Sequence, residues 1–177
     1  MTTSNKPAPP PGGRELVITG VFDAPRELVW KAFTEADRLA HWWGPEGFTM
    51  LALTLDFRPG GSFHYSMRSP DGHVMWGKFV FRDLCAPERM VFVSSFSDEE
   101  GNITRAPFSL TWPREILNTV TLTEFDGKTT VTLRGGPINA TEEERETFWN
   151  AQESLRQGFA GTFKQLAAYL AEEVKGM

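Results

Sequence analysis

The 177-residue sequence has one cysteine, three histidines and two tyrosines. A lone thiol, Cys85, cannot close an internal disulfide, which fits a reducing compartment. Its expected state at the end of a strand is packed and inert. His41, His64 and His73 fall on separate elements, and no His/Cys/Asp/Glu spacing matches a metal site. Neither a Gly-x-Ser-x-Gly elbow nor a phosphate loop occurs, which removes the usual signatures of an acyl-transfer nucleophile and a nucleotide site. No run approaches the about 18 apolar residues that a membrane-spanning helix needs. Basic residues are scattered and the net charge is −5, which argues against a nucleic-acid-binding surface. Residues 1–13 are rich in Pro and Gly and have no apolar run, so they read as a flexible tail without a secretory signal or anchor. The expectation is a cytoplasmic protein with one domain over residues 14–174 and no metal or cofactor.

Aromatic residues, by contrast, are plentiful, with six Trp and fourteen Phe. The longest amphipathic pattern runs from Thr141 to about Glu172. Thr141 and Glu144 form a capping box, and Glu142 and Glu143 suit the positive end of a helix dipole. Phe148, Leu155, Phe159, Thr162, Phe163, Leu166 and Leu170 then recur at helical spacing, predicting one long helix with one apolar face.

The earlier chain supplies a surface to receive that face. Glu15 to Phe22 alternates as a strand. Asp23-Ala-Pro25 starts a helix whose apolar side is Val29, Phe33 and Ala36, and a second short helix covers about Ala36 to Trp42. Six strands follow, carrying Leu53, Tyr65, Phe79, Phe92, Val120 and Val131. They are joined by turn signals such as Pro59-Gly60-Gly61, Pro70-Asp71-Gly72 and Asp126-Gly127. The fold class is therefore α+β: a curved seven-stranded antiparallel sheet, in β-α-α-β6-α order, wrapped around a long C-terminal helix. Such an arrangement leaves a space between helix and sheet that is either packed or hollow.

Several motifs carry a family resemblance. They are Asp23-Ala-Pro25 with Val29-Trp30-Lys31-Ala32-Phe33, Trp42-Trp43-Gly44-Pro45-Glu46-Gly47-Phe48, Asp56-Phe57-Arg58-Pro59-Gly60-Gly61, Ala86-Pro87-Glu88-Arg89, and the closing run from Asn139 to Leu170. Over about residues 14–171 the chain resembles the bacterial branch of the activator of 90-kDa heat-shock-protein ATPase family. That family lies in the START-like superfamily (also called SRPBCC or Bet v-like). The resemblance implies the helix-grip fold and a hydrophobic cavity, but no particular activity, because the superfamily spans carriers, receptors, cyclases and a co-chaperone domain.

Strand parity and helix phase nominate a cavity lining of Trp43, Tyr65, Met67, Phe79, Phe96, Trp112, Asn118, Gln152, Leu155, Phe159 and Phe163. Among these, Tyr65, Asn118 and Gln152, together with Ser94, are polar groups at apolar positions. Either they orient a ligand or they satisfy one another within the core. Trp42, Trp43 and Phe48 form a cavity rim or a plug that locks the short helices onto the sheet. Gly158 allows either close approach of the sheet or room for a ligand. Asp56, Arg58, Lys78 and Arg134 read as outer-face surface pairs, and His64 shares the solvated face.

The leading functional expectation is a non-enzymatic protein that binds a small hydrophobic or aromatic molecule between sheet and helix. One alternative is an interaction module that regulates a chaperone ATPase. The thirteen residues ahead of the domain are too few to supply the amino-terminal domain such a co-chaperone uses, which weighs against chaperone contact. The other alternative is a cyclase- or hydrolase-type enzyme, for which no catalytic acid–base pair stands out. A monomer and a homodimer are both compatible with the sequence.

Overall fold

Alternating side chains become strands along most of the chain, and the structure, a computed structural model, describes residues 15–177. The segment expected as a flexible tail lies outside the described residues. Strand β1 (Leu16–Phe22) buries Leu16, Ile18 and Phe22 on one face. Helices α1 (Arg26–Thr34) and α2 (Ala36–Trp42) follow, separated only by Glu35 in an extended conformation. Val29 and Trp30 are buried on α1, but Ala36 is exposed. The break at Glu35 turns Ala36 away from the α1 face on which it was expected.

Six longer strands form the rest of the sheet: β2 (Thr49–Leu55), β3 (Ser62–Arg68), β4 (Val74–Cys85), β5 (Arg89–Ser97), β7 (Glu115–Phe125) and β8 (Lys128–Ile138). A two-residue strand, β6 (Ile103–Thr104), pairs with β5 and adds an eighth strand. It lies in the polar stretch from Asp98 to Thr104, and two residues are too few to show a period. The order is β1-β8-β7-β5-β4-β3-β2, antiparallel throughout. The first strand thus pairs with the last, Ile18 facing Leu133.

Register sets which side chains meet on the inner face. Phe63 lies opposite Phe79, Phe79 opposite Ser94, and Ser94 opposite Ile116. Register shifts between Met50 and Ala52 and between Phe81 and Asp83 bend their strands. Asp126 and Gly127, at φ 55° and 77°, supply the two positive-φ positions of a tight β7–β8 hairpin.

The expected long helix is two. Helix α3 (Glu142–Asn150) begins at the predicted capping box: Glu144 N–H donates to Thr141 Oγ1 at 3.1 Å, and Thr141 N–H donates to Glu144 Oε1 at 2.9 Å. It ends at Ala151, whose φ of −90° and ψ of 3° stop the turn, and α4 (Gln152–Lys175) restarts immediately. No glycine or proline marks the break. Its cause is tertiary: α3 packs Phe148 against Trp112, ring centroids 5.5 Å apart, while α4 buries Leu166 and Leu170 in the core.

The Trp42-Trp43 pair divides its labour. Trp42 is 1% exposed, donates from Nε1 to Ala32 O at 2.9 Å and packs edge-on against Phe33. It is the plug that fastens α2 to α1. The following loop is fastened to α4 because Gly44 O accepts from Thr162 Oγ1 at 3.0 Å and from Gln165 Nε2 at 2.6 Å.

Two outer-face expectations change. Cys85 is exposed rather than packed, since β4 ends there at the sheet's margin. His64 is part-covered, because the turn after β5 folds over it. Its ring stacks on Trp76, and Nε2 lies 3.1 Å from Asp98 O. Lys78 donates to Gly101 O in the same turn, while Arg58 pairs with Asp56 and Arg134 with Glu15.

Candidate functional site

Between the inner face of the sheet and α4 lies a cavity of about 330 Å³. From α4, Leu155, Phe159 and Phe163 line it. From the sheet come Tyr65 and Met67 on β3, Phe79 on β4, Phe96 on β5 and Asn118 on β7. Trp43 and Trp112 join from the loops after α2 and before β7. These nominated residues share one wall because β3, β4, β5 and β7 are neighbours in the sheet and the alternate positions face inward.

Gln152 is a correction. It is half-buried at the first turn of α4 and does not line the cavity. Projecting an uninterrupted helix back from Leu155 puts Gln152 on the inner stripe. Gln152 and Leu155 both lie in α4, so the break at Ala151 does not separate them; α4 contributes to the wall only from Ser154 onward, and Phe148 of α3 closes that end.

Glycines shape this face as much as aromatics do. A Cβ on Gly77 would lie 2.5 Å from the Tyr65 hydroxyl oxygen. One on Gly20 would lie 2.8 Å from Phe163 Cδ2, and one on Gly135 would lie 3.0 Å from Asn118 Oδ1. Each missing side chain is space taken by a lining residue. The only sequence signal for this was a glycine inside an alternating strand, which marks close approach without saying of what. Gly158 is different: nothing lies within 4 Å of a Cβ built there. Gly158 and Ser154 both line the cavity and are exposed, so the cavity opens along this side of α4.

The polar groups fall into two sets. Asn118 donates from Nδ2 to Ser94 Oγ at 2.9 Å and to Ile116 O at 3.0 Å, which fixes the amide. Tyr65 is stacked on Phe63, ring centroids 4.6 Å apart, and meets Trp43 edge-on at 6.3 Å. Burial pushes the Tyr65 phenol up to about 12. The buried Trp43 Nε1–H comes close enough to the phenol oxygen to oppose that rise, but it forms no hydrogen bond of good geometry.

The Trp112 corner is held from outside the cavity. Arg105 donates to Trp112 O at 3.2 Å and pairs with the Glu144 carboxylate. The Arg105 hydrogen bond, followed by the Thr141 backbone N–H, keeps that carboxyl below its ordinary range. Thr111 and Thr147 hydroxyls meet at 2.9 Å and tie the same loop to α3.

Among the described residues, none that lines the cavity carries a charge: Asp, Glu, Lys, Arg and His are all missing from that set. The arrangement can surround apolar surface and direct a few neutral dipoles at it. It provides no counter-ion for an ionised guest. Among the described residues, no cluster of three or more His, Cys, Asp and Glu is placed to hold a metal. Nor is any helix long and apolar enough to cross a membrane.

Comparison with known proteins bears on this architecture. The family described as Activator of Hsp90 ATPase homolog 1-like protein matches residues 23–171. No curated protein matches the chain by sequence. Among solved structures, a crystal structure of a Mycobacterium smegmatis protein is 28% identical with a TM-score of 0.72, covering 88% of this chain and 90% of the other. A solution structure of an Arthrobacter aurescens protein is also 28% identical with a TM-score of 0.72, covering 89% and 86%. A Nitrosomonas europaea protein, 21% identical over 91% and 96% with a TM-score of 0.72, shares the fold. With the family model spanning nearly all of the sheet and both C-terminal helices, the chain belongs to the Activator of Hsp90 ATPase homolog 1-like family, within the START-like superfamily.

Proposed function

We propose that this protein is a non-enzymatic binder of a small hydrophobic or aromatic molecule, held between the sheet and α4. The observation that carries the reading is the 330 Å³ cavity itself, walled by aromatic and aliphatic side chains and open beside Gly158. That volume is at the lower end of the range for small-molecule sites, about 300–1,000 Å³. Binding is favoured over catalysis because the wall holds no histidine, carboxylate, lysine or cysteine to move a proton or attack a substrate. The ligand-facing residues are Trp43, Tyr65, Met67, Phe79, Phe96, Trp112, Asn118, Leu155, Phe159 and Phe163. Cys85 is free and exposed, which supports a reducing compartment such as the cytoplasm.

Native mass spectrometry of freshly purified protein, followed by denaturing extraction, tests the reading. The expected result is a protein ion carrying a small molecule that extraction releases, or an empty protein that takes up neutral naphthalene derivatives in a saturable one-to-one titration. Failure of both tests would overturn it. Stimulation of an Hsp90 ATPase by the purified chain would redirect the reading to the role in the family's description.

A further inference from the structure

We infer that the cavity selects uncharged aromatic molecules bearing a hydrogen-bond acceptor, and that the Tyr65 hydroxyl donates to that acceptor. This deepens the cavity-binding reading above and rests on it. The first ground is charge. An ionised carboxylate or ammonium entering this wall would lose its water and meet no opposite charge, a penalty that favourable apolar contact does not offset. Rings fit better, because edge-on and stacked partners such as Trp43, Phe79 and Phe96 are already arrayed around the space.

The second ground is what the polar groups have left to offer. Asn118 has spent both amide hydrogens on Ser94 and Ile116. Thr162 faces Gly44 O and Gly158 O, so its proton also has a protein acceptor. Tyr65 is in the opposite position. Its oxygen is approached by the Trp43 N–H, and it lines the cavity with no hydrogen bond from its own proton to a described residue. Gly77 makes the room in which that hydroxyl sits, since any Cβ there would collide with it. The phenol is protonated at neutral pH even at its ordinary value of 10.0, and burial raises it further, so it remains a donor. A carbonyl or ether oxygen on the guest would satisfy it. The Ser94 hydroxyl, which accepts from Asn118, and the buried Trp43 Nε1–H, which has no hydrogen-bond partner among the described residues, are the competing donors, and the Tyr65→Phe arm of the test separates Tyr65 from both.

Three probes with one ring system separate these contributions: 2-acetylnaphthalene, 2-isopropenylnaphthalene, which replaces the C=O by C=CH2 at similar shape, and 2-naphthoate. Each is titrated against wild type, Tyr65→Phe and Ser94→Ala by quenching of intrinsic tryptophan fluorescence. In wild type, both neutral probes bind and naphthoate binds about tenfold more weakly or worse than the ketone. The ketone-to-alkene affinity ratio falls about fivefold in Tyr65→Phe, the order expected for one neutral hydrogen bond, and is unchanged in Ser94→Ala. Naphthoate binding as tightly as the ketone would overturn the charge argument in wild-type protein, whether or not the variants fold. An unchanged ratio in Tyr65→Phe, or a loss confined to Ser94→Ala, would overturn the role of Tyr65 and leave the cavity reading intact. If none of the three probes bound wild type, the cavity reading itself would fall.

Discussion

Adding a side chain at Gly158 should stabilise the protein and obstruct its cavity. A helical glycine costs about 0.5–1 kcal/mol relative to alanine, because it gives up more backbone freedom on folding. At most tight positions a steric collision would cancel that gain. At Gly158 no atom lies within 4 Å of the new Cβ, whereas at Gly161, one turn on, it would lie 3.2 Å from Glu46 Cγ. Gly158→Ala should therefore recover nearly the full helix propensity and raise Tm by about 1–4 °C, given about 2–4 °C per kcal/mol for a chain of this size. Gly158→Leu should keep most of the gain while placing a branched side chain at the mouth. The expected consequence is a loss of probe affinity of about tenfold or more, equivalent to about 1.4 kcal/mol. Thermal unfolding followed by circular dichroism reads the first quantity, and titration with 2-acetylnaphthalene reads the second. A lower Tm for Gly158→Ala would mean that the glycine serves close packing after all. Unaltered affinity in Gly158→Leu would mean that ligands do not pass or rest beside this turn of α4.

Leu166→Ala should cost about 2–5 kcal/mol in urea unfolding, since Leu166 is wholly buried. Leu155→Ala should cost clearly less, because Leu155 borders a cavity and already lacks neighbours on one side; equal costs would mean that the space is filled. Gly20→Ala should destabilise by about 1–3 kcal/mol, since its Cβ would press into Phe163, itself held edge-on by Phe22. Glu144 sets a pH dependence. Its folded carboxyl titrates below the ordinary value of 4.5, so its pairing with Arg105 contributes fully above that value and is lost as pH falls through the lowered one. Glu144→Gln should accordingly lower the urea midpoint at pH 7 and narrow the difference between wild type and variant at pH 3; a difference that does not change with pH would refute the ion-pair account.

Much of this architecture was written locally. Alternation fixed which residues of β3, β4, β5, β7 and β8 face inward, and Thr141 with Glu144 fixed where α3 begins. The two-helix start and the Asp126-Gly127 turn were equally legible, because helix starts and positive-φ turns depend on a few adjacent residues, whereas the break at Glu35 that turns Ala36 away was not. Short-range rules failed where distant packing outweighed them. Phe148 and Leu155 are seven apart and look continuous, yet the contact of Phe148 with Trp112 and the burial of Leu166 and Leu170 draw two helices from one pattern.

Sequence by itself determined the order of the longer strands and the two short helices, and which residues of those strands form an aromatic inner face. Only tertiary structure decided that β1 pairs with β8, that Trp42 is a plug while Trp43 borders a space, and that the Tyr65 ring is packed between Phe63 and Trp43. The physical reason is that periodicity is a property of neighbours along the chain. A hollow is the gap left between elements far apart in sequence, and no single stretch encodes its size.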